Sequence, residues 1–162
     1  MATALKNLSE YETFELKNAA KYRIGIVTAE WNEHITSALE QGALEVLRQQ
    51  GIQPKNVKAI SVPGSYELPL AAQWLCTEFK ADAVIAIGCL IKGETPHFEY
   101  ISESVAHGLM ELNLKHSIPF AFGVITVLTE QQALDRAGGI HGNKGTEAAV
   151  TVLRMLQLKE GL

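Results

Sequence analysis

One histidine of this sequence, His97, directly follows the polar segment KGETP at residues 92–96. Thr95 and Pro96 are typical of a helix start, with Thr95 as the N-cap and Pro96 at the first helical position. Backbone N–H groups at Glu94, Thr95 and His97 would then be free to bind an anion, which the helix dipole also favours. The segment is typical of a phosphate site beside a titratable imidazole, and equally of a turn that carries a surface histidine.

Apolar runs alternate with helical patterns on both sides of this segment. Residues 83–87 form a continuous apolar run that ends at Gly88, followed by a short apolar tail at residues 89–91, and predict a strand buried on both faces. Other strands are predicted at Tyr22–Thr28, Val57–Val62 and Phe120–Thr126, and helices at residues 35–50, 68–79 and 97–116, Glu130–Ala137 and Asn143–Lys159. This order predicts an α/β fold: a three-layer αβα sandwich with a central four-stranded parallel sheet, flavodoxin-like in type.

Ligands of such sheets bind beyond the carboxyl ends of the strands. Trp31 follows the first predicted strand, residues 64–67 follow the second, and residues 90–97 follow the third. The fourth strand carries residues 122–126, and Arg136 comes shortly after it. The unusual residues therefore collect at one edge of the sheet, as a single ligand site requires, although loops cluster at that edge in every fold of this kind.

Each of these side chains has two interpretations from the sequence alone. Trp31 could stack on a planar heterocycle or pack against its own helix. Glu67 could accept hydrogen bonds from substrate hydroxyls or only complement a helix dipole. Arg136 could bind a phosphate or form an exposed ion pair with Asp135. Lys144, which has a glycine on either side within GNKG, could be a second cation or part of a helix–helix joint.

Composition excludes several classes of protein. The chain has 162 residues, a formal charge of −4 and no run of basic residues, which argues against nucleic acid or an anionic membrane as a partner. No stretch reaches the roughly 20 apolar residues that span a bilayer. We expect a cytoplasmic protein, because the N-terminal segment does not resemble a secretory signal and both cysteines lie in apolar surroundings. Residues 1–20 are predicted to form an arm suited to packing on a neighbouring subunit, and residues 21–162 a single domain.

Several common site motifs are missing from the sequence. There is no H-E-x-x-H or C-x-x-C spacing, so no metal site is expected. The G-x-S-x-G elbow and the Walker and dinucleotide glycine patterns are absent too.

Five separated motifs resemble those of the 6,7-dimethyl-8-ribityllumazine synthase family, in the right order and spacing. They are PGSYE at 63–67, GETPHFEY at 93–100, FGV at 122–124, DRAG at 135–138 and GNKG at 142–145. The resemblance covers nearly the whole chain from Tyr22 onward. It implies the condensation of 5-amino-6-(D-ribitylamino)uracil with 3,4-dihydroxy-2-butanone 4-phosphate, the penultimate step of riboflavin biosynthesis, without a cofactor or a metal.

The resemblance also assigns roles to individual residues. His97 would transfer protons. Trp31 would stack on the pyrimidine, and Ser65, Tyr66 and Glu67 would bind the ring substituents and the ribityl chain. The main chain of Leu90, Ile91 and Lys92 would also bind the substrate. Phe122 would be donated to the site by an adjacent subunit. The phosphate would be held by Glu94, Thr95 and Arg136, with Lys144 nearby. His97 and Arg136 are thus expected to meet at one cleft where two copies touch.

Assembly and partners are further expectations. The family resemblance implies pentamers, leaves a 60-subunit icosahedral shell open to this chain, and suggests riboflavin synthase as an additional partner. A lumazine or flavin carrier on the same fold is an alternative, although a carrier has no need of a proton-transfer residue such as His97. A flavodoxin-like electron carrier would need a phosphate loop rich in Ser and Thr after the first strand, and TAEWN at residues 28–32 is not such a loop.

Overall fold

The computed structural model describes Leu16 and residues 18–162 of the chain. Its strands are β1 (Ile24–Ala29), β2 (Val57–Val62), β3 (Ala83–Ile91), β4 (Phe120–Val127), β5 (Ala137–Gly139) and β6 (Gly142–Asn143), and its α-helices are α1 (Glu33–Gln49), α2 (Leu68–Thr77), α3 (His97–His116), α4 (Glu130–Leu134) and α5 (Lys144–Glu160). The first four strands form one parallel sheet in the order β2-β1-β3-β4. The predicted three-layer α/β fold with a four-stranded parallel sheet is therefore confirmed.

The sheet divides the core into two layers because successive side chains of a strand point to opposite faces. Ile26 of β1 and Ile85 of β3 pack with α1 and α5, whereas Val27 and Val84 pack with α2 and α3. Every residue of β1 is buried, and β3 is buried from Ala83 to Cys89, as its continuous apolar run predicted. The carboxyl ends of β1, β2 and β3 are thereby held side by side by two apolar layers.

The third strand is longer than its pattern predicted. Gly88 was taken as the end of the strand, but β3 continues to Ile91, which pairs with Val127 of β4. Gly88 is required for a different reason: a Cβ at this position would lie 2.7 Å from the Ser65 hydroxyl oxygen. The glycine thus allows the turn after β2 to lie directly against β3.

One short helix and one helix cap differ from the prediction, while the other helix ends shift by at most two residues. The short helix predicted over Glu130–Ala137 ends at Leu134, and Ala137 enters the antiparallel β5–β6 hairpin. The positive φ angles of Gly138 and Gly142, 120° and 69°, shape this hairpin. The other difference is at α3, where Pro96 occupies the N-cap and no side chain caps the helix, so the predicted Thr95 cap is wrong.

Helices α1 and α5 cross very closely next to Lys144. A Cβ at Gly145 would lie 1.8 Å from the carbonyl oxygen of Leu39. Asn143 caps α5 by accepting hydrogen bonds from the backbone N–H groups of Gly145 and Thr146, at 2.9 and 3.1 Å. The predicted helix–helix joint is therefore present here, and it sets the position from which Lys144 projects.

The predicted arm, residues 1–20, lies for the most part outside the described residues. Of the residues that are described, Leu16 and Ala19 are buried in the layer that contains α1 and α5. Within the described part of the chain, no helix combines the length and apolar character needed to cross a membrane.

Candidate active site

A cavity of about 630 Å³ lies at the carboxyl ends of β1, β2 and β3 and beside the N-terminus of α3. Its volume is typical of a small-molecule site. The cavity is lined by Trp31, Asn32, Gly64, Ser65, Tyr66, Glu67, Cys89, Leu90, Ile91, His97 and Ile101. The topology therefore brings together seven predicted site residues from four separate stretches of the chain.

Trp31 forms an exposed aromatic edge of this cavity. Its side chain is 73% exposed, which argues against the alternative of packing on its own helix. A Cβ at Gly64 would lie 3.4 Å from Trp31 Cδ1 and 3.2 Å from Glu67 Oε2. The indole ring and the Glu67 carboxylate thus border the same glycine, so a planar ligand on Trp31 would have a hydrogen-bond acceptor close to its edge.

Ser65 contributes a buried hydroxyl to the cavity. The residue is 5% exposed, and its Oγ has no hydrogen-bond partner among the described residues. A buried polar group without a partner costs free energy, and a bound ligand that supplies the missing hydrogen bond recovers it. Ser65 is therefore the side chain that most directly indicates a ligand here.

His97 begins α3 at the mouth of the cavity, after an exposed loop that contains Glu94 and Thr95. The backbone N–H groups of Glu94, Thr95 and His97 donate to no acceptor within the described residues. These donors and the helix dipole favour an anion at this point. The imidazole therefore lies beside a loop with unpaired backbone donors, which is the arrangement that the sequence predicted.

The ends of this loop are joined by an ion pair. Lys92 Nζ contacts Glu99 Oε1 at 2.5 Å and lies 5.9 Å from the centre of the Phe98 ring. The hydrogen bond from Lys92 lowers the pKa of the Glu99 carboxyl. Because both side chains are about half exposed, the pair adds little stability, but it restrains the loop from Gly93 to His97.

A second cavity, of about 430 Å³, lies between β4 and α5 and carries the remaining predicted residues Phe122, Arg136 and Lys144. Phe122 is 44% exposed and is not part of the core. Arg136 donates a hydrogen bond to the carbonyl of Gln132 at 3.0 Å and forms no ion pair with Asp135, so that alternative is wrong. Within one chain, His97 and Arg136 therefore open onto different cavities.

The two basic residues of the second cavity are held by a backbone hydrogen bond between them and by an ion pair. The N–H of Lys144 donates to the carbonyl of Arg136 at 2.9 Å, and Lys144 Nζ pairs with Glu147 in a largely buried contact. The hairpin and the α1–α5 crossing thus fix the two cations relative to each other. Arg136 keeps its guanidinium without a carboxylate partner among the described residues, which suits it to an external anion.

Some residues of the first cavity were missed by the sequence analysis. Asn32, Cys89 and Ile101 line it but were not among the predicted site residues. Asn32 offered a signal, since Asn after a strand commonly adopts the left-handed conformation observed here, with φ 60° and ψ 45°. No group of three or more His, Cys, Asp or Glu side chains is placed to hold a metal ion within the described residues.

Comparison with known proteins gives a consistent result. The family described as 6,7-dimethyl-8-ribityllumazine synthase matches residues 21–160. Proteins of that name from Cytophaga hutchinsonii and Parabacteroides distasonis are 52% and 49% identical over 156 residues, covering 96% of this chain and 98% of each relative. The protein of that name from Phocaeicola vulgatus is 47% identical over 162 residues, covering 100% of this chain and 96% of the relative. The chain therefore belongs to the 6,7-dimethyl-8-ribityllumazine synthase family and is an enzyme, a transferase.

Proposed function

We propose that this enzyme condenses 5-amino-6-(D-ribitylamino)uracil with 3,4-dihydroxy-2-butanone 4-phosphate to give 6,7-dimethyl-8-ribityllumazine, phosphate and water. This is the penultimate step of riboflavin biosynthesis, and we place it in the cytoplasm. Family membership supports the reaction. The observation that carries it is the cavity in which an aromatic ring, the unpartnered hydroxyl of Ser65 and the imidazole of His97 surround one space.

The pyrimidine would bind in the first cavity. Trp31 would stack on the ring, while Ser65, Tyr66 and Glu67 would contact the ring substituents and the ribityl hydroxyls. Glu67 suits this role because a carboxylate accepts several hydrogen bonds at once. The main chain of Leu90, Ile91 and Lys92, where β3 ends, would bind the polar edge of the pyrimidine.

The phosphorylated butanone would bind at the loop before α3. Backbone donors of Glu94 and Thr95 would contact the phosphate, together with the guanidinium of Arg136 and with Lys144 nearby. Because Arg136 and Lys144 line the second cavity, they would have to come from a second copy of the chain. Phe122, which is exposed beside them, would close the pyrimidine site from that same copy. The proposed site is therefore shared between two subunits.

The chemistry requires several proton transfers. An amine of the pyrimidine attacks the ketone, and loss of water gives an imine. Phosphate then leaves from the enamine tautomer of this imine, and the resulting enol becomes a ketone at the carbon that carried the neighbouring hydroxyl. Attack of the second nitrogen on this new carbonyl closes the ring with loss of a second water. His97 would give and take protons in these steps, a contribution of about 10²–10⁴-fold in a typical enzyme. Holding both substrates in one cleft supplies much of the remaining rate enhancement.

Absorbance of the lumazine product after both substrates are mixed tests this proposal directly. His97→Ala should lower kcat by about 10²–10⁴-fold, with little change in phosphate affinity. His107→Ala is a matched control, because His107 is an exposed histidine on the same helix outside both cavities. Unchanged turnover in His97→Ala would remove His97 from the mechanism. Ligand binding without any product would favour the carrier alternative instead.

The shared site has its own test. Arg136→Ala should raise KM for the phosphorylated substrate, whereas a change confined to KM for the pyrimidine would contradict our placement of the phosphate. The mixing experiment is run with the phosphorylated substrate far below the raised KM of Arg136→Ala, where both variants are nearly inactive. Equal amounts of His97→Ala and Arg136→Ala chains, dissociated and reassembled together, should then recover about one quarter of wild-type activity, since random pairing joins two intact halves at that frequency. Mixtures no more active than the separate variants would contradict a site shared between subunits.

A further inference from the structure

The side chain of Asn32 ties the turn between β1 and α1 to β3. Its Nδ2 donates a hydrogen bond to the carbonyl oxygen of Cys89 at 3.0 Å. Strand β1 pairs with β3 only as far as Thr28 and Ile87, so the carbonyl of Cys89 lies beyond the last pair of that ladder. The amide of Asn32 supplies the donor that the backbone of β1 no longer supplies.

The backbone of Asn32 is as specific as its side chain. Its φ and ψ of 60° and 45° lie in the left-handed region, and its carbonyl accepts hydrogen bonds from Ile35 and Thr36 at 2.8 and 3.0 Å. Asn is one of the few residues other than Gly that adopt this conformation readily. Gly would keep the backbone but lose the tether, and most other residues would strain the turn.

The tether joins two parts of the cavity wall that have different roles. Trp31, the residue before Asn32, carries the exposed ring, and Leu90, the residue after Cys89, begins the end of β3 that lines the same cavity. This hydrogen bond therefore helps to set the position of the aromatic ring relative to the main chain of β3. Without it, the turn would still be held to β2 by the hydrogen bond from the N–H of Glu30 to the carbonyl of Val62, at 2.9 Å, but no side chain of the described turn would hold it to β3.

We propose, resting on the proposed function, that Asn32 is a positioning residue for the pyrimidine substrate. Its amide holds the Trp31 ring and the main chain of Leu90 and Ile91 at the separation that one planar ring requires. It acts through these neighbours and not on the reacting atoms. Its loss should therefore weaken pyrimidine binding and leave the phosphorylated substrate unaffected.

The experiment uses Asn32→Gly and Asn32→Asp in a Trp74→Phe background, where Trp31 is the single tryptophan of the chain. Asn32→Gly keeps the left-handed backbone and removes the amide. Fluorescence anisotropy and acrylamide quenching then report the mobility of Trp31 without any ligand. We expect greater mobility, and a KM for the pyrimidine raised about fivefold, the factor that corresponds to one neutral hydrogen bond. Asn32→Asp should raise it more, because a carboxylate oxygen would face the carbonyl of Cys89.

Asn18→Gly is the matched control, since Asn18 also has a positive φ, 56°, and lies outside this cavity. The inference would be overturned if Asn32→Gly and Asn18→Gly had the same Trp31 mobility and the same KM for the pyrimidine. An equal rise in KM for both substrates, or a fall in kcat with unchanged KM, would overturn it as well. A wild-type enzyme that makes no lumazine would contradict the proposed function alone, and the ligand-free mobility of Trp31 would still decide whether Asn32 positions it.

Discussion

Replacing Gly145 by Ala should force apart the two helices that fix Lys144. A Cβ at Gly145 would lie 1.8 Å from the carbonyl oxygen of Leu39 and 2.5 Å from its carbonyl carbon, whereas real Cβ atoms essentially never approach within 3.0 Å. Helix α5 would therefore have to move away from α1 by about 1.2 Å in a close-packed core. No side chain can rotate to relieve this contact, because the obstructing atoms belong to the backbone.

The free energy of unfolding should fall by an amount near the top of the range for overpacked cores, about 3 kcal/mol. For a chain of this length, 1 kcal/mol lowers Tm by about 2–4 °C, so Gly145→Ala should melt roughly 6–12 °C below the wild type. Protein concentration must be held constant, since self-association would also shift Tm. KM for the phosphorylated substrate should rise too, because the N–H of Lys144 bonds to the carbonyl of Arg136.

Thermal melting followed by circular dichroism, together with steady-state kinetics, measures both effects. Gly93→Ala is the control, because a Cβ at Gly93 would have no neighbour within 4 Å. It replaces the same residue type by the same substituent in open space, and its Tm should stay close to that of the wild type. If Gly145→Ala melts at the temperature of Gly93→Ala, the close crossing of α1 and α5 does not constrain the fold as described.

Three further predictions concern the core and the first cavity. Asn113→Ala removes the two hydrogen bonds that join α3 to Phe120 of β4. It should lower the free energy of unfolding in urea by about 2 kcal/mol, and an unchanged denaturation midpoint would contradict this. Gly88→Ala places a Cβ 2.7 Å from the Ser65 hydroxyl. It should therefore displace Ser65 and raise KM for the pyrimidine. Unaltered kinetics would contradict this and show that Ser65 has room to move. Burial raises the pKa of the Cys89 thiol to about 11. At pH 8, iodoacetamide should therefore modify the more accessible Cys76 first. In the folded protein, the rate at which iodoacetamide modifies Cys89 should increase as the pH rises toward the pKa of this thiol. Equal rates for both thiols at pH 8 would contradict the burial of Cys89.

The main elements could be predicted because their patterns are strong. The second strand was predicted with its observed bounds, and the continuous apolar run at residues 83–87 correctly predicted a strand buried on both faces. Gly88 was misinterpreted because its sequence neighbours do not reveal Ser65, which packs against it from another loop. The meaning of a glycine inside an apolar run depends on tertiary contacts, and these are not visible in local periodicity.

The short elements after β4 could not be predicted for a related reason. Strands β5 and β6 contain three and two residues, too few for a periodic pattern. Their place in the fold depends on the positive φ angles of Gly138 and Gly142 and on contacts with α1 and α5. The sequence therefore indicated a break at the two consecutive glycines but not the hairpin that forms it.

The sequence predicted which strand ends border the first cavity, but only part of the geometry of the candidate site. Strand-end logic placed Trp31, Ser65 and His97 together, and the cavity confirms that they share one space. The same logic cannot decide whether Arg136 reaches that space from its own chain, because this depends on where β4 and α4 direct it. Asn32 was missed because a tether between a side chain and a distant carbonyl has no sequence signature beyond the residue type.

The separation of the two cavities on one chain has a consequence for stoichiometry. If the face with His97 in one copy accepts the face with Arg136 from the next, the contact is head-to-tail, and an open row of copies always ends with one unmatched face on each side. Only a closed ring gives every copy a complete catalytic centre. Ring closure would thus determine the number of catalytic centres per chain. Any agent that opens such a ring would remove one centre per break while leaving the subunits folded.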